Sequence, residues 1–288
     1  MAIPTDYIFT SGTCLKSEIY DTIINSLVTA GWTNVSSDPT TDFDVLTSPG
    51  NTGNKALVLQ LRPLPAVGTA ANNIKTSNFC QASFRLQTSY TPGTEGTAGT
   101  FGRTAQAWSD LYIVPVAANG QLPAGTTVKY KVYADASKII MAIEFPSATS
   151  LNPILFYLGA PDSTFVAESG SSSTVFASTS MATTASNLLI CNTSDGIGSV
   201  AAPYAMPVSG FSILKNPNNE GIYFQTGLYY QSATEGIRGM LDGVLCLPNI
   251  AVQTGNEITI DGKTYYQLVC HVQGNNSFPY PVMLIRTA

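Results

Sequence analysis

Leu15, Ile19, Ile23 and Leu27 recur every four residues, and Ile24 and Val28 widen the stripe. That spacing predicts an amphipathic helix of about four turns with one apolar face. Ser11 or Thr13 is placed to cap its start, Glu18 lies near the positive end of the helix dipole, and Gly31 is a natural stop. Lys16, Ser17, Asp21, Asn25 and Ser26 make the polar side. A helix patterned this way must lie on a sheet or a partner.

After it the period changes from four to two. Residues 127–133 (TVKYKVY) alternate strictly, with Val128, Tyr130 and Val132 on one face. The run 138–145 (KIIMAIEF) follows a four-residue turn, 134–137, and the two segments predict a hairpin. Residues 55–61, 79–90, 154–158, 221–230 and 237–247 also read as strands. The segments 257–260 and 263–272 flank Asp261-Gly262, the strongest short hairpin signal in the chain. Residues 283–286 make a last short strand. The expected class is α+β, mainly antiparallel β and sandwich-like, with the N-terminal helix packed on a sheet. Residues 90–103 form a long Gly- and Thr-rich loop, and 166–186 a Ser/Thr-rich linker or loop. The expected division is therefore a helix-plus-β domain over 1–165 and a β region over 187–288.

Composition changes this picture in one respect. Of 288 residues, 44% are apolar, yet only 11% are charged, against about 25% in ordinary soluble domains. Thirteen basic and eighteen acidic side chains give a net charge of −5. This balance argues against a phosphate-binding surface and so against nucleic acid as a partner. No run reaches the roughly 18 apolar residues of a membrane span, and residues 1–10 carry no export signal. Thr, Ser, Asn and Gln stand where Lys, Glu, Asp and Arg normally cover a surface.

Candidate chemistry is sparse. Cys14, Cys80, Cys191, Cys246 and Cys270 are far apart and form no CxxC pair, so a zinc ribbon is not expected; the last four lie in apolar strand-like runs and read as buried thiols. His271, the single histidine, follows Cys270 in a strand, so their side chains point to opposite faces. No Gly-x-Ser-x-Gly elbow and no phosphate loop occur. Asp38, Asp42 and Asp44 lack the Gly and the terminal Glu of a calcium loop. Asp42 and Asp44 share one face of an extended segment, and Asp135, Glu144, Asp162 and Glu168 lie near strand ends. A glycosidase would need two such carboxylates across a cleft, but each also serves as a turn former. No catalytic residue, cofactor or metal ligand is assigned. Tyr229-Tyr230, Tyr265-Tyr266 and Trp108 could stack on a sugar, with half of each pair in the core. Aromatics on a charge-poor surface fit a protein interface better, and Tyr90, Phe101, Arg103, Trp108, Tyr229 and Tyr230 are the interface candidates.

The order of features carries a resemblance. The helix ends in Gly31-Trp32; a central hairpin reads VYADASKIIMAIEF (132–145) and is followed by YLGAPDS (157–163); Gly239-Met-Leu-Asp-Gly243 reads as a turn before the strand-turn-strand that holds Asp261-Gly-Lys-Thr-Tyr265. This resembles a group of virion structural proteins of tailed bacteriophages found among tail and neck components. The resemblance implies a non-enzymatic subunit of a ring or fibre-connecting element at the tail, neck or baseplate. It implies assembly in the host cytoplasm with copies of itself and with tail tube, sheath, collar or fibre proteins. The alternative from the tyrosine pairs is a carbohydrate-binding adhesin for host attachment.

Overall fold

The structure is a computed structural model and describes residues 7–36, 43–53, 55–62, 81–94, 99–102, 109–112, 123, 125–147, 153–161, 175–178, 192–193, 201–204, 226–232, 236–247, 254–269 and 282–288. The chain opens with β1 (Ile8–Leu15), a 3-10 turn (Lys16–Glu18) and α1 (Ile19–Thr29). Short strands follow: β2 (Thr33–Asn34), β3 (Asp44–Ser48), β4 (Leu57–Arg62), β5 (Gln81–Gln87), β6 (Tyr90–Thr91), β7 (Thr100–Phe101) and β8 (Ser109–Tyr112). The middle of the chain gives β9 (Thr127–Ala134), β10 (Lys138–Glu144), β11 (Ile154–Gly159), β12 (Val175–Ser178) and β13 (Asn192–Thr193). The rest gives β14 (Ala201–Tyr204), β15 (Thr226–Ser232), β16 (Gly236–Leu247), β17 (Glu257–Ile260), β18 (Lys263–Val269) and β19 (Val282–Arg286). The fold is α+β and mainly antiparallel, as the sequence pattern predicts.

A central sheet runs β1-β9-β10-β11-β12-β13. A helix-side sheet runs β2-β3-β4-β5-β8, and a C-terminal sheet runs β14-β15-β16-β19-β18-β17. β6 and β7 form a separate two-stranded ribbon. Alternation along β10 shows how the sheets stack. Ile139, Met141 and Ile143 join one buried cluster with Ile19, Ile23 and Leu27 of α1 and with Leu46, Leu59 and Phe84 of the helix-side sheet. The alternate residues Ile140 and Ala142 join a second cluster with Leu241, Val244, Tyr266, Leu268 and Ile285 of the C-terminal sheet. The central sheet is therefore a middle layer with apolar cover on both faces. This explains why β10 and β11 read as near-continuous apolar runs rather than as alternating ones.

The helix starts later than its periodicity suggests. Ser11 and Thr13 do not cap it: they lie in β1, which pairs with β9 along its whole length, from Ile8↔Ala134 to Leu15↔Thr127. Leu15, counted in the apolar stripe, is 39% exposed. The turn after it is closed by Glu18, whose carboxylate accepts from the Leu15 backbone N–H at 2.8 Å. The β1 pairing is a contact with a distant strand, and it overrides the local helical period. The helix end is as expected. Gly31 takes φ +98°, its N–H donates to the Val28 carbonyl, and the Trp32 N–H donates to the Leu27 carbonyl, which is a Schellman stop. Along the helix the hydroxyls of Thr22, Ser26 and Thr29 donate back to carbonyls one turn earlier, and Ser26, expected on the polar side, is buried.

Asp261 and Gly262, at φ +50° and +74°, turn β17 into β18 with Ile260 opposite Lys263, which is a type I′ hairpin. The segment 239–243 is not a turn. It lies inside β16, where the register against β15 slips between Gly227↔Leu245 and Tyr229↔Met240. Part of the Ser/Thr-rich stretch, Val175–Ser178, is β12, which pairs with β11 in the central sheet, and Val175 is buried there. The rest of 166–186 lies outside the described residues.

Candidate functional site

The three residues between β9 and β10 are the best-anchored turn among the described residues. Asp135 closes it locally: its Oδ1 accepts from the backbone N–H groups of Ser137 at 2.7 Å and Lys138 at 3.1 Å. Distant elements then hold it from outside. The Trp32 indole N–H donates to the Asp135 carbonyl at 2.8 Å. The Ser48 hydroxyl donates to the Ala136 carbonyl, and the Asn51 N–H donates to the Ser137 hydroxyl at 2.9 Å. The Ala160 N–H donates to the Ser137 carbonyl at 2.8 Å. Helix end, helix-side sheet and β11 thus converge on one turn.

The charged part of the site faces the C-terminal sheet. Lys138 shares the strand face of Ile140 and Ala142, so alternation turns it toward that sheet. Its Nζ lies 3.1 Å from Asp135 Oδ2 and 3.1 Å from Asp242 Oδ2 of β16. The Tyr133 hydroxyl donates to Asp135 Oδ2 at 3.4 Å, and the Lys138 ammonium lies 5.7 Å from the centre of the Tyr133 ring. Tyr7 stacks on Tyr133 at 5.0 Å, and the Arg286 guanidinium lies over both rings. The register slip in β16 brings Asp242 to this place. Gly243, at φ +88°, completes it: a Cβ there would meet the Ile140 Cδ1 at 2.8 Å.

Burial pulls the Lys138 ammonium toward neutrality, but Asp135 and Asp242 outweigh it and hold its pKa above the ordinary lysine value. Burial acts on Asp242 in the opposite sense, and Lys138 outweighs it, so that carboxyl titrates below its ordinary value. Burial also pushes the Tyr133 phenol up to about 12. At the far end of β10, Glu144 accepts from the Tyr266 hydroxyl at 2.5 Å, and Lys131 Nζ lies 4.1 Å over the Tyr266 ring. Polar contacts at both ends of one strand therefore fasten the central sheet to the C-terminal sheet.

The residues singled out in the sequence fall in several places. Tyr90 and Phe101 are brought together: they face each other across the β6–β7 ribbon with ring centres 4.8 Å apart, and Phe43 packs edge-on to Phe101 at 5.8 Å. Both are half-buried. Arg103 and Trp108 lie outside the described residues, as do Asp38, Asp42, Asp162, Glu168 and His271. Tyr229 and Tyr230 are neighbours on β15, opposite Met240 and Gly239. Tyr265 and Tyr266 differ from expectation: both are buried, at 5% and 6% exposure, so neither offers a ring face to a sugar. Alternation sends Tyr266 to the interface with the central sheet, but Tyr265 on the other face is covered as well.

Of the carboxylates considered as a hydrolytic pair, the described ones, Asp44, Asp135 and Glu144, each hold structure. Asp44 accepts from the Tyr20 hydroxyl at 2.7 Å and the Asn34 amide at 2.9 Å; Asp135 and Glu144 make the contacts above. Cys14 is a free, half-buried thiol whose pKa burial pushes up; Cys246 lies on β16 opposite Met283, and Cys80, Cys191 and Cys270 fall outside the described residues. Among the described residues, no group of three or more His, Cys, Asp or Glu could hold a metal ion, and no helix is long and apolar enough to cross a membrane.

Sequence reasoning took Asp135 as a turn former and passed over Lys138 as the polar start of a strand. The missed signal was positional. A lysine in register with Ile140 and Ala142, on a strand buried on both faces, must meet a counter-charge. No protein-family model matches this chain, and no curated protein matches it.

Proposed function

We propose that this chain is a non-enzymatic structural subunit of a tailed-bacteriophage particle, working in a ring or fibre-connecting element at the tail, neck or baseplate. What carries this reading is how the chain spends its few charges. Asp44, Asp135, Lys138, Glu144 and Asp242 are all engaged in holding its own layers together. Hydroxyl and amide side chains outnumber charged ones in the rest of the chain, although Asp21, Lys129, Glu257 and Asp261 remain exposed. A charge-poor polar surface of this kind desolvates cheaply against a neighbouring subunit, and interface cores are depleted of charge for that reason. The order of sequence motifs points the same way, since the Gly31-Trp32 stop and the hairpin 132–145 meet at one anchored turn.

Its partners in this reading are copies of itself and the tail tube, sheath, collar or fibre proteins. The β6–β7 ribbon, with Tyr90 and Phe101, is the contact element put forward. The carbohydrate-binding alternative loses Tyr265 and Tyr266, which are buried, and rests on Tyr229, Tyr230 and Trp108. The deciding measurement is the mass of the purified native protein by light scattering, together with its presence in disrupted particles. A defined oligomer is expected. A strict monomer absent from particles would overturn the proposal.

A further inference from the structure

We infer that Lys138 and Asp242 react with each other to form an intramolecular amide, a cross-link that staples the central sheet to the C-terminal sheet, with Asp135 carrying the proton. This goes beyond the assembly proposal and does not depend on it. Three observations carry it. A primary amine with almost no solvent exposure is held 3.1 Å from one carboxylate oxygen and 3.1 Å from a second. Tyr133, with Tyr7 stacked on it, lies beside the amine. Gly243, next to Asp242 in the chain, brings the β16 backbone against β10: even a Cβ there would stand 2.8 Å from Ile140 and 4.0 Å from the Lys138 Cε.

Amide formation from a free amine and acid is unfavourable in water, because dilution and solvation favour the ions. Two groups fixed at contact escape the dilution term; effective molarities of about 10⁵ M or more are reached in well-oriented intramolecular reactions. The step balances without any further reagent. The ammonium passes one proton along its hydrogen bond to Asp242, which gives an amine with a lone pair and a neutral carboxylic acid. Nζ attacks the Asp242 Cγ, and a C–N bond forms. The Asp135 carboxylate takes a proton from the nitrogen. The C–O bond to the hydroxyl breaks, and the leaving oxygen receives that proton from Asp135 and departs as water. Asp135 ends as the carboxylate it began as, and nothing is oxidised or reduced. The Asp242 side chain is 32% exposed, so water has a way out. The ionic pair is the resting form and the neutral pair a minor one, so the bond forms slowly after folding.

The test is the intact mass of the purified full chain under denaturing conditions, fresh and aged, beside Lys138→Arg prepared alike. The expected result is a species lighter than the sequence by one water, growing with age, and a branched proteolytic peptide joining the segments around residues 138 and 242. Asp242-Gly243 and Asp261-Gly262 can also lose water by cyclising as succinimides, and Lys138→Arg separates the two routes. It keeps its full mass if the loss is the cross-link. Asp242→Asn is expected to cross-link with loss of ammonia instead of water. An aged wild-type chain at its full sequence mass, or one that loses water without yielding the branched peptide, would overturn the inference. The branched peptide is read from the wild-type chain alone, so the test holds even if a variant fails to fold.

Discussion

Replacing Trp32 with Phe asks how much one distant hydrogen bond contributes to the anchored turn. Trp32 is 2% exposed, and its indole N–H reaches the Asp135 carbonyl across 103 positions of chain. Phe keeps most of the packing and removes the donor. A buried carbonyl left without a partner costs about 1–3 kcal/mol. The lost part of the indole leaves a void on the order of 40 Å³, which at about 24 cal/mol per Å³ adds roughly 1 kcal/mol. The expected loss is therefore about 2–4 kcal/mol, a large share of the roughly 5–15 kcal/mol that holds a domain together. Urea unfolding followed by circular dichroism measures it: the midpoint falls and the slope stays the same. Ser48→Ala removes a second donor to the same turn, so the double variant should lose less or more than the sum of the singles. A Trp32→Phe loss below about 1 kcal/mol, or strict additivity with Ser48→Ala, would refute the view that these contacts act as one anchor.

Gly243→Ala combines a left-handed backbone with a contact at 2.8 Å to Ile140, so it should destabilise by about 2 kcal/mol or more in the same assay; a neutral result would mean that β16 moves away freely. Burial raises the phenol pKa values of Tyr20, Tyr133, Tyr265 and Tyr266. A group whose folded pKa lies above its unfolded one stabilises fully below the unfolded value, about 10 for tyrosine, and that contribution is lost as pH rises through the folded value. Stability should thus fall from about pH 10 upward, and phenolate absorbance should show a late fraction that appears together with unfolding. If all the tyrosines ionise near pH 10 in the folded protein, the burial reading is wrong. Removing residues 90–103 should leave the unfolding midpoint within about 1 kcal/mol of wild type and reduce the oligomer seen by light scattering, since the ribbon pairs only with itself among the described residues. Unchanged assembly would refute its interface role.

What could be read in the sequence was what short-range chemistry decides. Gly31 stopped the helix where a left-handed residue was needed, and Asp261-Gly262 turned the hairpin because both residues tolerate positive φ. The helix start was misread because Leu15 and Ser11 are claimed by β9, a strand made much later. The Gly239–Gly243 motif passed for a turn because glycines signal turns locally. Here the second glycine is needed for a close approach to Ile140, which no local signal reveals. The insertion of β19 between β16 and β18 has the same character. The candidate site was legible only in part for the same reason. Asp135 announced a turn, while its meeting with Lys138, Asp242 and Trp32 depends on three separate layers coming together.

The pairing of β1 with β9 also sets a timetable for synthesis. β1 leaves the ribosome before its partner, which follows roughly 110 residues later; at about 5–20 residues per second that is a wait of roughly 5–20 s. For that time the nascent chain carries the segment IFTSGTCL, with no charge and no proline to discourage pairing with a neighbour. On a message read by many ribosomes at once, neighbouring nascent chains present the same segment side by side. The yield of correctly folded protein should therefore depend on how fast β9 is delivered, and slower translation of the middle of the gene should send more chains to aggregates.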